Sequence, residues 1–346
     1  MTAKRNVHLV GSFPFNSSSE VFDLCGSRLT GLLKRLPDGE PGIRSHWIQW
    51  QSTEVLPRTE QLEIGGQGFI PNIPPFPTYR LKPGLSAADV RFPALGYARA
   101  AIDSYRLFKA YQAEGKIEAQ LRFQVSLPTP FVVAWAYFVP EAMRSIWPVY
   151  EAALFAEIDA MVSVIPEEEL SIQWDIAAEV TVLETPQLLQ FYPREELIGA
   201  LSRAVDHVPA GSEVGLHLCY GDPGGKHVIE PKDLSLLVEL ANAVITKARH
   251  PIAWLHMPVP ASRTDAAYFA ALQKLKHSSN TDLYLGLVHL ADGLEGAEDR
   301  IAAALPFARH FGIATECGLG RRPKDTIPDS ISLHARIAQS DKLARM

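Results

Sequence analysis

Cysteine is scarce in this chain: Cys25, Cys219 and Cys317 are the only three among 346 residues. An odd number without framework spacing argues against a disulfide-stapled secreted fold and for a reducing compartment. A basic excess is missing too. Thirty-three lysines and arginines stand against 39 aspartates and glutamates, a formal charge of −6. No dense basic stripe appears, so nucleic acid is not an expected partner. Long apolar runs are absent. None reaches the roughly 18 residues that a membrane helix needs, and the opening "MTAKRNVHLVGSF" lacks the apolar stretch of a signal peptide. A cytoplasmic protein with no membrane partner is expected.

What is present is alternation. Short β-branched runs at 6–13, 119–128, 170–179, 213–222, 251–260, 282–291 and 312–320 read as seven strands, with 31–39 as an eighth. Helix-period stretches such as "PEAMRSIWPVYEAALFAEIDAMVSV" and "PKDLSLLVELANAVITKA" lie between them. Strand–helix alternation implies parallel strands joined by crossover helices. Seven or eight units fit an α/β chain folded as a single (β/α)8 TIM barrel over residues 1–346 better than an open sheet. Residues 40–95, with "IPNIPPFPTYRLKPG", break the rhythm and are expected to form a long irregular Pro/Gly-rich insertion over the barrel mouth.

Active sites of such barrels sit at the C-terminal ends of the strands. Ser12, Asp175, His217, Cys219, His256, His289 and Cys317 all fall at those ends. In "GLHLCYGD" (215–222), strand alternation turns His217 and Cys219 to one face. An imidazole beside a thiol is either a packing arrangement or half of a metal site. Cys, His and carboxylate ligands gathered from distant segments suit a catalytic zinc. "DPGGKH" (222–227) lacks the Gly–Lys–Ser/Thr pattern of a phosphate loop and reads as a rim loop. Cys25, in a helix-period stretch, reads as a small buried apolar residue.

Seven motifs then occur in a telling order: "LVGSFP" (9–14), "DGE" (38–40), "LPTP" with Trp135, "IQWD" (172–175), "HLCYGD", "GLVHLADG" and "ECGLGRR" (316–322). Together they resemble the C-terminal catalytic barrel of the cobalamin-independent methionine synthase family, within the uroporphyrinogen decarboxylase/methionine synthase-like superfamily. The resemblance spans nearly the whole chain but only that half of the two-barrel enzyme. It implies Zn²⁺ held by His217, Cys219 and Cys317, with an acceptor thiol bound as thiolate. It also implies that His289 protonates the leaving group, that Asp175 acts with it, and that Ser12 and Glu40 bind substrate.

Departures from the family pattern redirect the expectation. Where the family places a glutamate ligand this chain has His256, expected here as the fourth metal ligand. Trp174 precedes "DIAA" in place of D-E-P and is expected to re-line the pocket. The carboxylate expected after "DGE" falls at Gln49, which offers only a neutral carbonyl to an acceptor's ammonium group. The chain is therefore expected to be a zinc-dependent methyl- or alkyltransferase acting on a small-molecule thiol other than homocysteine, with a folate or corrinoid among the candidate donors. A short methionine synthase proper, a zinc hydrolase or lyase, and a non-catalytic zinc- or corrinoid-binding barrel are the alternatives.

Overall fold

A computed structural model describes residues 5–340. The strands are β1 (Arg35–Pro37), β2 (Leu62–Gly68), β3 (Phe76–Leu81), β4 (Arg122–Pro128), β5 (Leu170–Ile176), β6 (Glu213–Leu218), β7 (Ile252–Pro258), β8 (Asp282–Gly286) and β9 (Gly312–Ile313). Seven of them form one sheet in the order β1-β4-β5-β6-β7-β8-β9, and every pairing in it is parallel. Val7 bridges in parallel to Leu33, just before β1, and to Ile313 in β9. Backbone bonds from Val7 N to Leu32 O (2.8 Å) and from His8 N to Ile313 O (2.8 Å) join the two edges through this one segment. The sheet closes as a barrel, which leaves it no free edge strand.

The expected first strand, 6–13, is thus reduced to a bridge at Val7. Beyond it the backbone carbonyls are satisfied by side chains instead of a ladder. Gln124 Nε2 donates to Leu9 O at 2.9 Å, Gln173 Nε2 to Val10 O at 2.6 Å and Ser126 Oγ to Val10 O at 3.0 Å. The 31–39 stretch contributes the three residues of β1 and the bridge at Leu33. Several other strands also stop short of their expected ends, so Cys219, His289 and Cys317 lie on loops. Cys219 keeps one last rung, its N–H donating to Ile176 O at 2.9 Å.

Helices follow the strands as crossovers. They are α1 (Ser18–Arg28), α2 (Tyr97–Ala113), α3 (Pro130–Tyr137), α4 (Pro140–Val162), α5 (Ala178–Leu183), α6 (Arg194–His207), α7 (Ser235–Lys247), α8 (Ala266–Phe269), α9 (Gly293–Ala304) and α10 (Ile327–Ala338). Helix α2 shows why they dock: buried Ala98, Ala101, Tyr105 and Phe108 recur at the three-to-four spacing of one helical face. The 40–95 insertion is not irregular throughout. It contains short helical turns over 42–58 and the antiparallel hairpin β2–β3, bulged between Ile64 and Gly66. The hairpin's connecting turn reaches the loop after β6, where Asn72 Nδ2 donates to Pro223 O at 3.4 Å.

Alternation sets what fills the barrel. Gly215 pairs with Trp254 and His217 with His256 across β6 and β7. A Cβ at Gly215 would collide with the Trp254 indole, so the glycine makes room for that ring. Arg35 lies over the same indole, its guanidinium carbon 4.2 Å from the ring centroid, and His8 stands 5.0 Å from the Tyr284 ring. Two residues further along β6 and β7, His217 and His256 take the places of glycine and tryptophan.

Candidate metal centre and cavity

Three soft ligand atoms converge at the C-terminal mouth. His217 is the last residue but one of β6, Cys219 comes just after that strand, and Cys317 comes from the loop after β9. Their ligand atoms all lie within 4.8 Å of one another. Cys219 Sγ is 3.8 Å from Cys317 Sγ, and Cys317 Sγ is 3.7 Å from His217 Nε2. A tetrahedral zinc with bonds of about 2.3 Å to sulfur and about 2.0 Å to nitrogen requires edges of about 3.8 Å and about 3.5 Å. The two edges that meet at Cys317 Sγ are close to those values.

The two thiols differ in acidity. The Cys219 thiol donates to Cys317 and is held well above its ordinary pKa by that bond and by burial. The same bond, with Arg321 adding, lowers Cys317. Arg321 Nη2 lies 3.3 Å from Cys317 Sγ and 3.2 Å from Asp222 Oδ2. The Gly221 N–H donates to Cys219 Sγ at 3.2 Å. Burial, then His256, His8 and Arg321, keep His217 far below the usual imidazole pKa and therefore neutral, which leaves a ring nitrogen free to ligate.

These residues open onto a cavity of about 170 Å³. Its floor is His217, Cys219 and Cys317; Ser12, Glu40, Gln49, Asp175 and Arg321 supply polar groups, while Phe69, Ile70 and Phe76 of the insertion and Trp135 supply apolar wall. Asp175 accepts from Gln173 Nε2 at 2.9 Å. Burial pushes Asp175 up to about 8 against that bond. Burial and the neighbouring Asp175 raise Glu40 well above the carboxylate range. Glu40 and Trp47 adopt positive φ, 49° and 59°, a strained conformation that non-glycine residues keep mostly at functional sites.

The expected site residues separate into two groups. Ser12, Glu40, Gln49, Asp175, His217, Cys219 and Cys317 all line the cavity. His256 is not among the convergent ligands. Its Nε2 meets Thr315 O at 2.9 Å and its Nδ1 meets His217 Nδ1 at 2.6 Å, so both nitrogens are engaged. Trp174 is also corrected. It sits between Gln173 and Asp175 in β5, fully buried on the opposite face of the strand, and re-lines nothing in the cavity. His289 lies beyond β8 with Nε2 on Val259 O at 2.8 Å and Nδ1 3.6 Å from Glu316, outside the cavity wall. Glu40 and Asp175 line the cavity together with the neutral Gln49. Arg321, Gln173 and Thr315 were not expected. Gln173 was within reach of the alternation rule, being two residues before Asp175; the other two lie on loops, where no periodicity points to them.

Fold and site together define a parallel α/β barrel, seven strands joined through the bridge at Val7, with a soft-ligand cluster at its mouth. No family model matches the sequence, and no curated protein matches it either. Solved structures do share the fold. A B12-independent methionine synthase from Shewanella sp. W3-18-1, in complex with selenomethionine, superposes with a TM-score of 0.63 at 13% identity, over 97% of each chain. A putative vitamin-B12-independent methionine synthase from Listeria monocytogenes gives 0.58 at 13% identity over 98% of each chain. A methyltransferase from Methanosarcina mazei gives 0.58 at 13% identity, over 96% of this chain and 93% of the other. These neighbours share the barrel fold that the motifs lead one to expect. Among the described residues, no helix is long and apolar enough to cross a membrane.

Proposed function

We propose that residues 1–346 work as one catalytic barrel, a zinc-dependent transferase that moves a methyl or small alkyl group to a thiol. The observation that carries this reading is the convergence of the His217, Cys219 and Cys317 ligand atoms, all within 4.8 Å of one another, at a largely apolar cavity. Bound there, zinc would supply acidification of an incoming thiol, whose free pKa of about 8.5 leaves little thiolate at pH 7. The chain's own groups do the rest. Arg321 offsets the negative charge of Cys317. Apolar walls exclude water, which favours alkyl transfer over hydrolysis. Glu40 and Asp175 complement an ammonium group on the acceptor, because a cation between them would relieve the burial that raises both. An amino-bearing thiol such as homocysteine therefore fits better than Gln49 alone suggested. A folate or a corrinoid remains the donor class that the resemblance suggests.

Two measurements test this. Metal analysis should find about one zinc per chain, lost or strongly weakened in Cys219→Ser and Cys317→Ser; full occupancy in both variants would sink the site. Thiol competition at fixed donor should favour homocysteine over amine-free thiols by roughly tenfold or more, the scale of a charged hydrogen bond against a neutral one. Turnover without any thiol would point to a hydrolase or lyase on the same barrel.

A further inference from the structure

We infer that His256 is a positioning residue that fixes the ring of His217, and that the fourth coordination position is left to the substrate; the inference rests on the metal reading above. A ligating imidazole must offer one nitrogen as a free lone pair. His256 has none to offer. Its Nε2 lies 2.9 Å from Thr315 O, and a carbonyl only accepts, so Nε2 carries the hydrogen. The remaining nitrogen, Nδ1, is then an acceptor, and it lies 2.6 Å from His217 Nδ1. His217 therefore donates from Nδ1, which leaves its Nε2 bare and aimed at Cys317 Sγ, 3.7 Å away. One carbonyl thus selects the tautomer of both rings.

The anchoring carbonyl belongs to the same turn that presents the thiolate. Thr315 Oγ1 donates to Cys317 O at 2.7 Å, two residues on. His217, on the middle strand β6, and Cys317, from the loop after the last strand β9, are thereby tied to each other by Thr315 and His256 before any ion binds. His217 and His256 are direct register partners in β6 and β7, and both rings are buried, at 2% and 0% exposure. Partners of this kind fix ring orientation and raise ligand basicity, and losing one typically costs about 10–100-fold in metal affinity.

Glutamine separates the roles, because its amide can accept from His217 Nδ1–H and donate to Thr315 O, whereas alanine can do neither. Zinc affinity, measured by chelator competition, should fall by about 10–100-fold in His256→Ala and recover most of that loss in His256→Gln. Zinc X-ray absorption should show one imidazole and two sulfurs in wild type and both variants. Loss of an imidazole scatterer in both variants, or an alanine variant that binds as tightly as wild type, would overturn the inference. A readout that needs no metal accompanies these. Histidine ¹⁵N shifts of the apo protein should report His217 as the Nδ1–H tautomer and His256 as the Nε2–H tautomer, and opposite tautomers would equally overturn it. Should wild type bind no zinc, the proposed function fails, and the tautomers alone decide the role of His256.

Discussion

His289 carries the expected task of protonating the leaving group, yet its contacts set terms for that task. Burial, with Arg300 adding, lowers its pKa to about 4, so the ring is neutral near pH 7 and its Nε2 hydrogen is committed to Val259 O. To protonate a leaving group it must first take up a proton on Nδ1, which lies 3.6 Å from Glu316, and then turn its Nε2–H from that carbonyl to the leaving group. A general acid acts on the transition state and not on ground-state metal binding. His289→Asn should therefore retain zinc and thiol affinity. It should slow transfer from donors with poor leaving groups by about 10²–10⁴-fold, while donors whose leaving group needs no proton stay nearly unchanged. Single-turnover rates across a donor series decide it, and uniform slowing would make His289 a structural residue. The residue scale also marks the limit of sequence reading. His217, Cys219 and Cys317 were legible because strand ends of a barrel face one mouth. The task of His256 was not, since it depends on a carbonyl 59 residues away that only the fold brings to its ring.

At the scale of elements, legibility followed periodicity. Long helices such as α2, α4 and α7 and the central strands β4 to β8 repeat their apolar residues often enough to be recognised. The first strand did not survive as a ladder, because its carbonyls are met by glutamine and serine side chains that no pattern in 6–13 announces. The hairpin β2–β3 was hidden by its glycines and prolines. Trp174 was misplaced although the alternation already in use for His217 and Cys219 turns it away from Asp175. Gly215 is a cleaner case of alternation deciding packing. It sits in β6 two residues before His217, and the space that its missing side chain leaves is filled by Trp254. Gly215→Ala forces a methyl into that rigid indole, an overpacking that costs at least ~1–3 kcal/mol. Adding Trp254→Leu should recover part of the loss, since residues in contact couple non-additively. Denaturant titrations of the two single variants and the double variant check this. Simple additivity would mean that the two residues do not share the space.

For the whole molecule, the two ends of the barrel divide the labour between chemistry and stability. The mouth gathers strained backbone, raised carboxyl pKa values and converging soft ligand atoms. The opposite end is stitched by charge at the first residues of four strands. Arg35 Nε bonds Glu213 Oε2 at 2.6 Å, Arg35 Nη1 lies 3.5 Å from Asp282 Oδ2, and Arg122 Nε lies 3.7 Å from Glu213 Oε1. Lys34 joins Asp282 at 2.7 Å, and Ser171 Oγ donates to Glu213 at 2.9 Å. This face of a barrel lies away from the chemistry and serves stability, and acid is the means to test it here. Burial alone would raise Glu213, but the charge and hydrogen bond of Arg35 outweigh it and hold the carboxyl below its ordinary 4.5. A group depressed on folding contributes stability that is fully present above its unfolded pKa and is lost as pH falls through the folded value. Glu213→Gln should thus unfold more readily at pH 7, by about 1–3 kcal/mol for a buried partner left short of a bond. The gap to wild type should close as pH drops from about 4.5, where wild type loses the same charge. Thermal melts of both proteins from pH 7 down to pH 3 measure it, with the acid behaviour of all other carboxyls common to the pair. A gap that stays constant with pH would show that the contribution of Glu213 is packing and not its charge beneath Arg35.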